Sequence, residues 1–112
     1  MRALILAVIL AGCAKKTAEE PPVKPIPAEE VKRGEDACKA YVDQVCACAA
    51  KVPAAKDACD AARAMPDALK LQVEFAASDT NKNDVLAAQA GIRKLVKACI
   101  EETAKLPGLG CQ

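Results

Sequence analysis

The chain has 112 residues, enough for one small domain, and its 16 Lys and Arg residues nearly balance 15 Asp and Glu residues. A nucleic-acid-binding surface needs a concentrated basic face and, for single strands, aromatic side chains on which bases stack. Tyr41 and Phe75 are the only aromatic residues, and large apolar residues are few beside many alanines. Composition therefore excludes nucleic acid as the expected partner and predicts a thin core that needs extra constraint.

The first residues have the pattern of an export signal. Arg2 supplies a positive charge, and residues 3–10 form an apolar run that is too short to cross a bilayer, which takes about 20 residues. Leu10-Ala11-Gly12-Cys13 then resembles the lipobox of bacterial lipoproteins. The resemblance implies cleavage before Cys13, acyl chains such as palmitate attached at that cysteine, and anchoring to a membrane. The alternative interpretation of this run is a short buried helix.

The segment that follows Cys13 is typical of a tether. Residues 14–27 contain four prolines, mixed charges and little to bury, which favours an extended and semi-rigid chain. Ala14 rather than aspartate follows the cysteine, and by the same resemblance this favours the outer membrane, on its periplasmic face or at the cell surface, over the inner membrane. We expect a signal peptide at 1–12, a lipidated tether at 13–27 and a folded domain at 28–112.

Apolar residues with helical periodicity predict a first helix from about residue 28 to 51. Pro27 and the two glutamates that follow are typical of the first turn of a helix. Gly34 weakens its beginning. Pro53 marks a turn, and a second apolar stripe runs from Ala55 to about residue 77 and keeps its phase across Pro66. This predicts a kinked helix, or two helices that meet near Met65.

The third predicted helix runs from about residue 82 to 105, after a segment rich in turn and cap residues and before a stop at residues 106–110. No segment alternates with the period of a strand. The sequence therefore predicts an all-α fold, a small up-down-up three-helix bundle whose second helix is kinked at Pro66 and which disulfides staple together.

An even number of cysteines in a small exported domain predicts a disulfide framework. Cys48 and Cys59 lie equally far from the predicted turn at Pro53 and Ala54, which predicts a bond between them. Cys46 and Cys99 lie at similar heights in the first and third helices, which predicts a second bond. The remaining pair is Cys38 with Cys111, so the predicted bonds are nested. A bond between Cys59 and Cys99 satisfies the height argument equally well. Cys46 and Cys48 lie about 200 degrees apart around a helix, so we expect them to bond different neighbours.

Residues 38–59, which contain the Cys46-Ala47-Cys48 element, resemble small cysteine-rich proteins of uncharacterised function in some deltaproteobacterial envelopes. The likeness covers about a fifth of the chain and implies no activity. Two neighbouring thiols could instead exchange disulfides or hold half of a soft-metal site. We favour structural disulfides and expect no metal site, because histidine is absent and the spacing is not that of a zinc site.

Two further sequence patterns partly match known binding or catalytic sites. Asp79, Asn81 and Asn83 match the first ligands of a calcium loop, but Asp84 stands where that loop needs glycine and Ala90 where it needs glutamate. Helix capping explains the same residues more simply. Adjacent carboxylate pairs do not face each other on a helix, and we interpret them as solvated charges rather than acid and base; they are Glu19-Glu20, Glu29-Glu30 and Glu101-Glu102.

Without histidine, and with Ser78 as the only serine, the chain has no conventional base for a nucleophile, so we expect no catalytic residue and no cofactor. The predicted function is a non-catalytic, lipid-anchored cell-envelope protein that presents a small helical binding or structural domain. Its partners would be the membrane, through Cys13, and an unidentified envelope protein. The alternatives are a thiol redox or metal-handling protein that uses Cys46 and Cys48, and an inhibitor or immunity-type lipoprotein that binds an exported enzyme.

Overall fold

The computed structural model describes residues 23–111, and within that range every regular element is a helix. Helix α1 spans Ala28–Ala49, α2 spans Lys56–Ala62, α3 spans Ala64–Ser78 and α4 spans Lys82–Lys105. Short 3-10 helices occupy Pro53–Ala55, before α2, and Leu106–Leu109, after α4. The prediction of an all-helical domain is confirmed. The predicted signal peptide, Cys13 and most of the predicted tether lie outside the described residues.

Helix α1 begins where the sequence predicts, directly after Pro27. The carbonyl of Pro27 accepts hydrogen bonds from the N–H groups of Glu30 and Val31, and the first-turn glutamates complement the positive end of the helix dipole. The helix passes through Gly34 without a break and ends at Ala49, two residues earlier than predicted. An added Cβ at Gly34 would lie 2.5 Å from Cγ2 of Val96, so this glycine allows α1 and α4 to approach closely.

The second predicted helix is divided at Arg63 into α2 and α3. Pro66 is the third residue of α3, a position where its missing N–H leaves no hydrogen bond unmade, because first-turn N–H groups have no partner within their own helix. Two helices that meet near Met65 were one of the two predicted outcomes, and the division lies two residues before that position. Leu69, which is 1 % exposed, anchors α3 in the core.

Helix α4 has the predicted bounds, and its N-terminus is capped as expected. The side-chain oxygen of Asn81 accepts hydrogen bonds from the N–H groups of Asn83 and Asp84, at 3.0 and 3.3 Å. At the other end Gly110 adopts a left-handed conformation with φ of 90°, which residues other than glycine rarely adopt. This turn brings Cys111 back over the end of the helix, where its N–H donates to the carbonyl of Leu106.

Three contacts define how α1 lies against α4. Glu30 pairs with Arg93, Gly34 packs against Val96, and Cys38 bonds Cys99. The contacts advance in the same direction along both helices. The middle of α4 therefore lies level with the N-terminus of α1. The first two turns of α4 extend beyond α1 and pack against α3.

The three disulfides join Cys38 to Cys99, Cys46 to Cys59 and Cys48 to Cys111. The prediction that all six cysteines form a disulfide framework is confirmed, and Cys46 and Cys48 bond different neighbours as expected. The predicted pairing was wrong in every bond, and so was the alternative bond between Cys59 and Cys99. Four half-cystines are among the eleven residues of the buried cluster, so the disulfides are part of the core itself, which comprises Cys38, Tyr41, Val45, Ala55, Cys59, Ala62, Leu69, Ile92, Cys99, Leu106 and Cys111.

The pairing error has two physical causes. Cys99 was placed level with Cys46, but it lies opposite Cys38, eight residues earlier, which is about 12 Å along a helix. The predicted pairing requires the C-terminal ends of α1 and α4 to lie at one height, and they do not. In addition, α1 stops at Ala49 and Val52 is extended, so the hairpin is centred before Pro53 and Cys59 meets Cys46 rather than Cys48. Cys48 then faces the C-terminal turn, where Cys111 reaches it.

Candidate functional site

The Cys46-Ala47-Cys48 element does not form a dithiol. Both cysteines are half-buried, and each is bonded to a different part of the fold, Cys46 to α2 and Cys48 to the C-terminal turn. A redox-active dithiol, the alternative interpretation of this element, needs two thiols that can form a bond with each other. In this arrangement the two bonds instead hold the end of α1 against both of its neighbours.

The segment with the calcium-loop pattern uses its oxygens for the backbone. The carboxylate of Asp79 accepts the N–H of Asn81 at 2.7 Å, and the amide oxygen of Asn81 caps α4. These oxygens are thus engaged within the turn, as the capping interpretation predicts. Within residues 23–111, no cluster of three or more Cys, Asp or Glu side chains has the geometry to hold a metal ion.

The described carboxylate pairs on α1 and α4 lie on the surface in ion pairs. Glu30 accepts from Nε of Arg93 at 3.0 Å, Glu101 lies 3.7 Å from Nζ of Lys97, and Glu102 lies 3.0 Å from Nζ of Lys105. The hydrogen bond and the charge of Glu102 raise the pKa of Lys105. Glu30, Glu101 and Glu102 are thus each paired with a cation at the surface, which is the arrangement of solvated charges. Glu19 and Glu20 lie outside the described residues.

A groove with aliphatic walls lies between the N-terminal half of α1 and the middle of α4, and we call it the α1–α4 groove. Its volume is about 380 Å³, which is within the usual range of ligand sites. Five aliphatic side chains line it, and the ion pairs of Arg93 and Lys97 lie at its rim. The five are Ile26, Val31, Ile92, Val96 and Ile100.

The side of α3 and α4 that faces away from α1 carries a second apolar surface, which we call the outer face. Leu71 is 66 % exposed and Phe75 48 % exposed, and both stand beside the small residues Ala87, Ala88 and Gly91 of α4. The Gln72 side chain lies over Gly91, and its buried Oε1 has no hydrogen-bond partner. Exposed large apolar side chains next to a shallow depression are typical of a protein-binding surface.

Sequence reasoning missed the contact between the end of the tether and the bundle. Ile26 was predicted to lie in the tether, but its side chain packs against the core. The buried side chain of Gln89 donates to the backbone carbonyl of Lys24 at 2.8 Å. The signal was present in the sequence, since Gln89 is a polar residue within the apolar stripe of α4, between Val85 and Ile92, and a buried amide needs a partner.

The outer face and the α1–α4 groove were also not predicted, because they depend on which faces of the helices remain uncovered after packing. No protein-family model, curated protein or solved structure matches the chain. Among residues 23–111, no helix combines the length and the apolar character needed to cross a bilayer.

Proposed function

We propose that the protein is a non-catalytic, lipid-anchored component of the bacterial cell envelope that presents a disulfide-stapled helical domain as a binding surface. The observation that carries the proposal is the use of all six cysteines after Cys13 in three disulfides. Such a framework forms in an oxidising compartment outside the cytosol, where the lipobox-like Leu10-Ala11-Gly12-Cys13 would deliver the chain.

The anchor consists of acyl chains on Cys13, with residues 1–12 removed as a signal peptide. Two or three chains hold a protein stably on a membrane, whereas a single chain binds only marginally. The tether extends from residue 13 to 27, although its last residues also pack on the domain at Ile26 and Lys24. Ala14 after the lipidated cysteine supports the outer membrane as the destination.

The domain is an up-down-up bundle in which α2 and α3 together form the second, kinked member. Short connections and the bond between Cys46 and Cys59 support an antiparallel packing of α1 against α2. The side-by-side contacts of α1 and α4 support the return of the third member to the direction of the first. The resulting scaffold is small and covalently fixed, which suits presentation of a surface.

The outer face is the surface that contacts an envelope protein. Leu71 and Phe75 are exposed large apolar side chains on one face, and aromatic side chains are enriched at the centres of protein interfaces. A partner that is an exported enzyme would make the protein an inhibitor or immunity-type lipoprotein, which is one case of this function. The redox alternative requires reactive thiols at Cys46 and Cys48, both of which are bonded elsewhere.

Metabolic labelling tests the anchor. Cells that produce the full chain are fed an alkyne analogue of palmitate, and the protein is isolated and coupled to a reporter. We expect label on the wild-type chain and none on the Cys13→Ala variant, which keeps the six cysteines of the domain. Equal labelling of both chains, or no label on the wild type, would contradict the lipid anchor.

Site-specific photo-cross-linking in living cells tests the binding surface. A photoreactive amino acid replaces Leu71 or Phe75 in turn, and Lys39, an exposed residue of α1, is the matched control. We expect one discrete heterologous adduct from the two outer-face positions and none from position 39. Adducts of equal yield from all three positions, or no adduct from position 71 or 75, would contradict a partner at the outer face.

A further inference from the structure

The aliphatic lining of the α1–α4 groove suits a hydrocarbon chain as its occupant. Ile92 and Val96 form its floor on α4, Val31 contributes from α1, and Ile100, which is 57 % exposed, stands at one edge. The remaining aliphatic wall is Ile26, which belongs to the segment before α1. Leaving this surface open to water is unfavourable in proportion to its apolar area, so an apolar occupant would be stabilised there.

The charges at the rim do not select a charged ligand. Glu30 and Arg93 form one ion pair at 3.0 Å, and Lys97 and Glu101 form another at 3.7 Å. Since each cation is offset by a carboxylate, these four side chains add no net charge to the groove. A neutral hydrocarbon chain is therefore not repelled by these charges. An anionic ligand would have to compete with Glu30 and Glu101 for Arg93 and Lys97.

The chain enters the domain at this groove. Ile26 is one of its walls, and the hydrogen bond from Gln89 to the carbonyl of Lys24 fixes the backbone two residues earlier. Twelve residues lie between Cys13 and Ile26, and this stretch spans about 40 Å in a polyproline II conformation. A group attached to Cys13 is therefore held near the groove at a high effective concentration.

We propose that the α1–α4 groove receives part of one acyl chain from the lipid on the protein's own Cys13 when that chain is outside a bilayer. This inference rests on the proposed lipid anchor. The length of α4 from Ile92 to Ile100 is about 12 Å, and the volume of the groove is about 380 Å³, so it accommodates a segment of one chain and leaves the others exposed. The groove thereby shields hydrocarbon during passage between membranes without replacing the membrane anchor.

Intramolecular photo-cross-linking tests the proposal on the lipidated full chain. Cells are grown with palmitic acid that carries a diazirine near its terminal methyl group, and the protein is purified into an amphipathic polymer, illuminated and digested. We expect adducts within single molecules on peptides of residues 25–31 and 92–100, with a yield that does not change on dilution. The Ile100→Asp variant should lose at least fivefold in adduct yield. The matched Leu86→Asp variant should keep it, because Leu86 is 44 % exposed on the same helix and does not line the groove.

The intact mass before illumination separates the two proposals. If lipid is present but adducts form only with the polymer, on the outer face or equally in Ile100→Asp, the groove does not hold the chain and the anchor stands. Adducts that join two protein molecules would assign the groove to a second copy and overturn occupancy by the protein's own chain. A chain without lipid at Cys13 would contradict the proposed function and, with it, this inference.

Discussion

Helices α1 and α3 are held in the same bundle by different means. Each of the three disulfides has one end in α1, and these bonds lead to α4, to α2 and to the C-terminal turn. Helix α3 contains no cysteine and relies on packing, chiefly of Leu69, while Leu71 and Phe75 remain exposed on it. The comparison shows covalent bonds concentrated on one helix and the exposed apolar residues of the outer face on another. It leads us to expect that α3 opens more easily than α1.

The largest effect is expected from removing the disulfide between α1 and α4. Replacing Cys38 and Cys99 together by alanine opens a loop with a sequence separation of 61, for which chain entropy gives a loss of about 4 kcal/mol. The same change at Cys46 and Cys59, with a separation of 13, should cost about 3 kcal/mol. Urea unfolding of the two double variants measures the difference, and a larger loss at Cys46 and Cys59 would contradict the expected dependence of the stabilisation on loop length.

Leu69→Ala tests the packing of α3. The side chain is 1 % exposed, so its truncation should lower the free energy of unfolding by about 2 to 5 kcal/mol. Leu71→Ala, two residues away but 66 % exposed, should change it by less than about 0.5 kcal/mol. Hydrogen exchange of the Leu69→Ala variant should speed up first in α3 while α1 stays protected. Uniform loss of protection would show that the two helices open together.

Two glycines allow a comparison of the α1–α4 interface, which a disulfide crosses, with the α3–α4 interface, which no disulfide crosses. An added methyl group at Gly34 meets Val96 in an interface fixed one turn away by Cys38 and Cys99, with a Cα–Cα distance of 5.0 Å. Gly34→Ala should therefore destabilise the protein by about 1 to 3 kcal/mol. At Gly91 the added group meets the end of the Gln72 side chain at 2.7 Å, and this side chain can move away. Gly91→Ala should leave the stability unchanged or raise it by up to about 1 kcal/mol, because alanine is the better helix former. Equal effects at the two glycines would contradict the difference between the interfaces.

The smallest expected effect concerns Tyr41, which is buried between α1 and α4. Burial, and then the charge of Glu102, raise the pKa of this tyrosine above 10.0, and the charge of Lys105 acts in the opposite direction. The unfolded chain consequently loses the phenol proton first, so the contribution of Tyr41 to stability is present below pH of about 10 and declines as the pH rises above it. Because the chain has one tyrosine and no tryptophan, the change in ultraviolet absorbance with pH reports the ionisation of Tyr41 alone.

We expect the titration midpoint of the folded protein above that of the unfolded protein, and a smaller alkaline loss of stability in Tyr41→Phe. A midpoint equal to that of the unfolded chain would show that this side chain is hydrated, and would weaken the assignment of a dry core to the region around the Cys38–Cys99 bond.

Local sequence patterns predicted the helices well, because each signal acts within a few residues. Asn81 with its neighbours located the start of α4, and Pro27 located the start of α1. The disulfide pairing depended on the relative height of two helices, which periodicity does not report. The close contact of Gly34 with Val96 contributes to that height, and in the sequence Gly34 indicates only a weakened helix.

The candidate surfaces were harder still to predict. Leu71 and Phe75 are apolar residues of a helix, and only the packed structure shows that no other helix within residues 23–111 covers them. The contact of Ile26 and Lys24 with the bundle crosses the boundary between the predicted tether and the predicted domain. By contrast, the interpretation of Asp79 and Asn81 as cap residues could be made from the sequence alone, since the calcium pattern fails at two required positions.

The most direct test of the account is the intact mass of the protein extracted from native membranes, with thiol alkylation before and after reduction and peptide mapping of the bonds. We predict a chain that begins at Cys13 and carries lipid, takes up no alkyl group until reduced and then takes up six. The map should show Cys38 with Cys99, Cys46 with Cys59, and Cys48 with Cys111. Reactive thiols at Cys46 and Cys48 in the native protein, or a chain that begins at Met1 without lipid, would contradict the central claim.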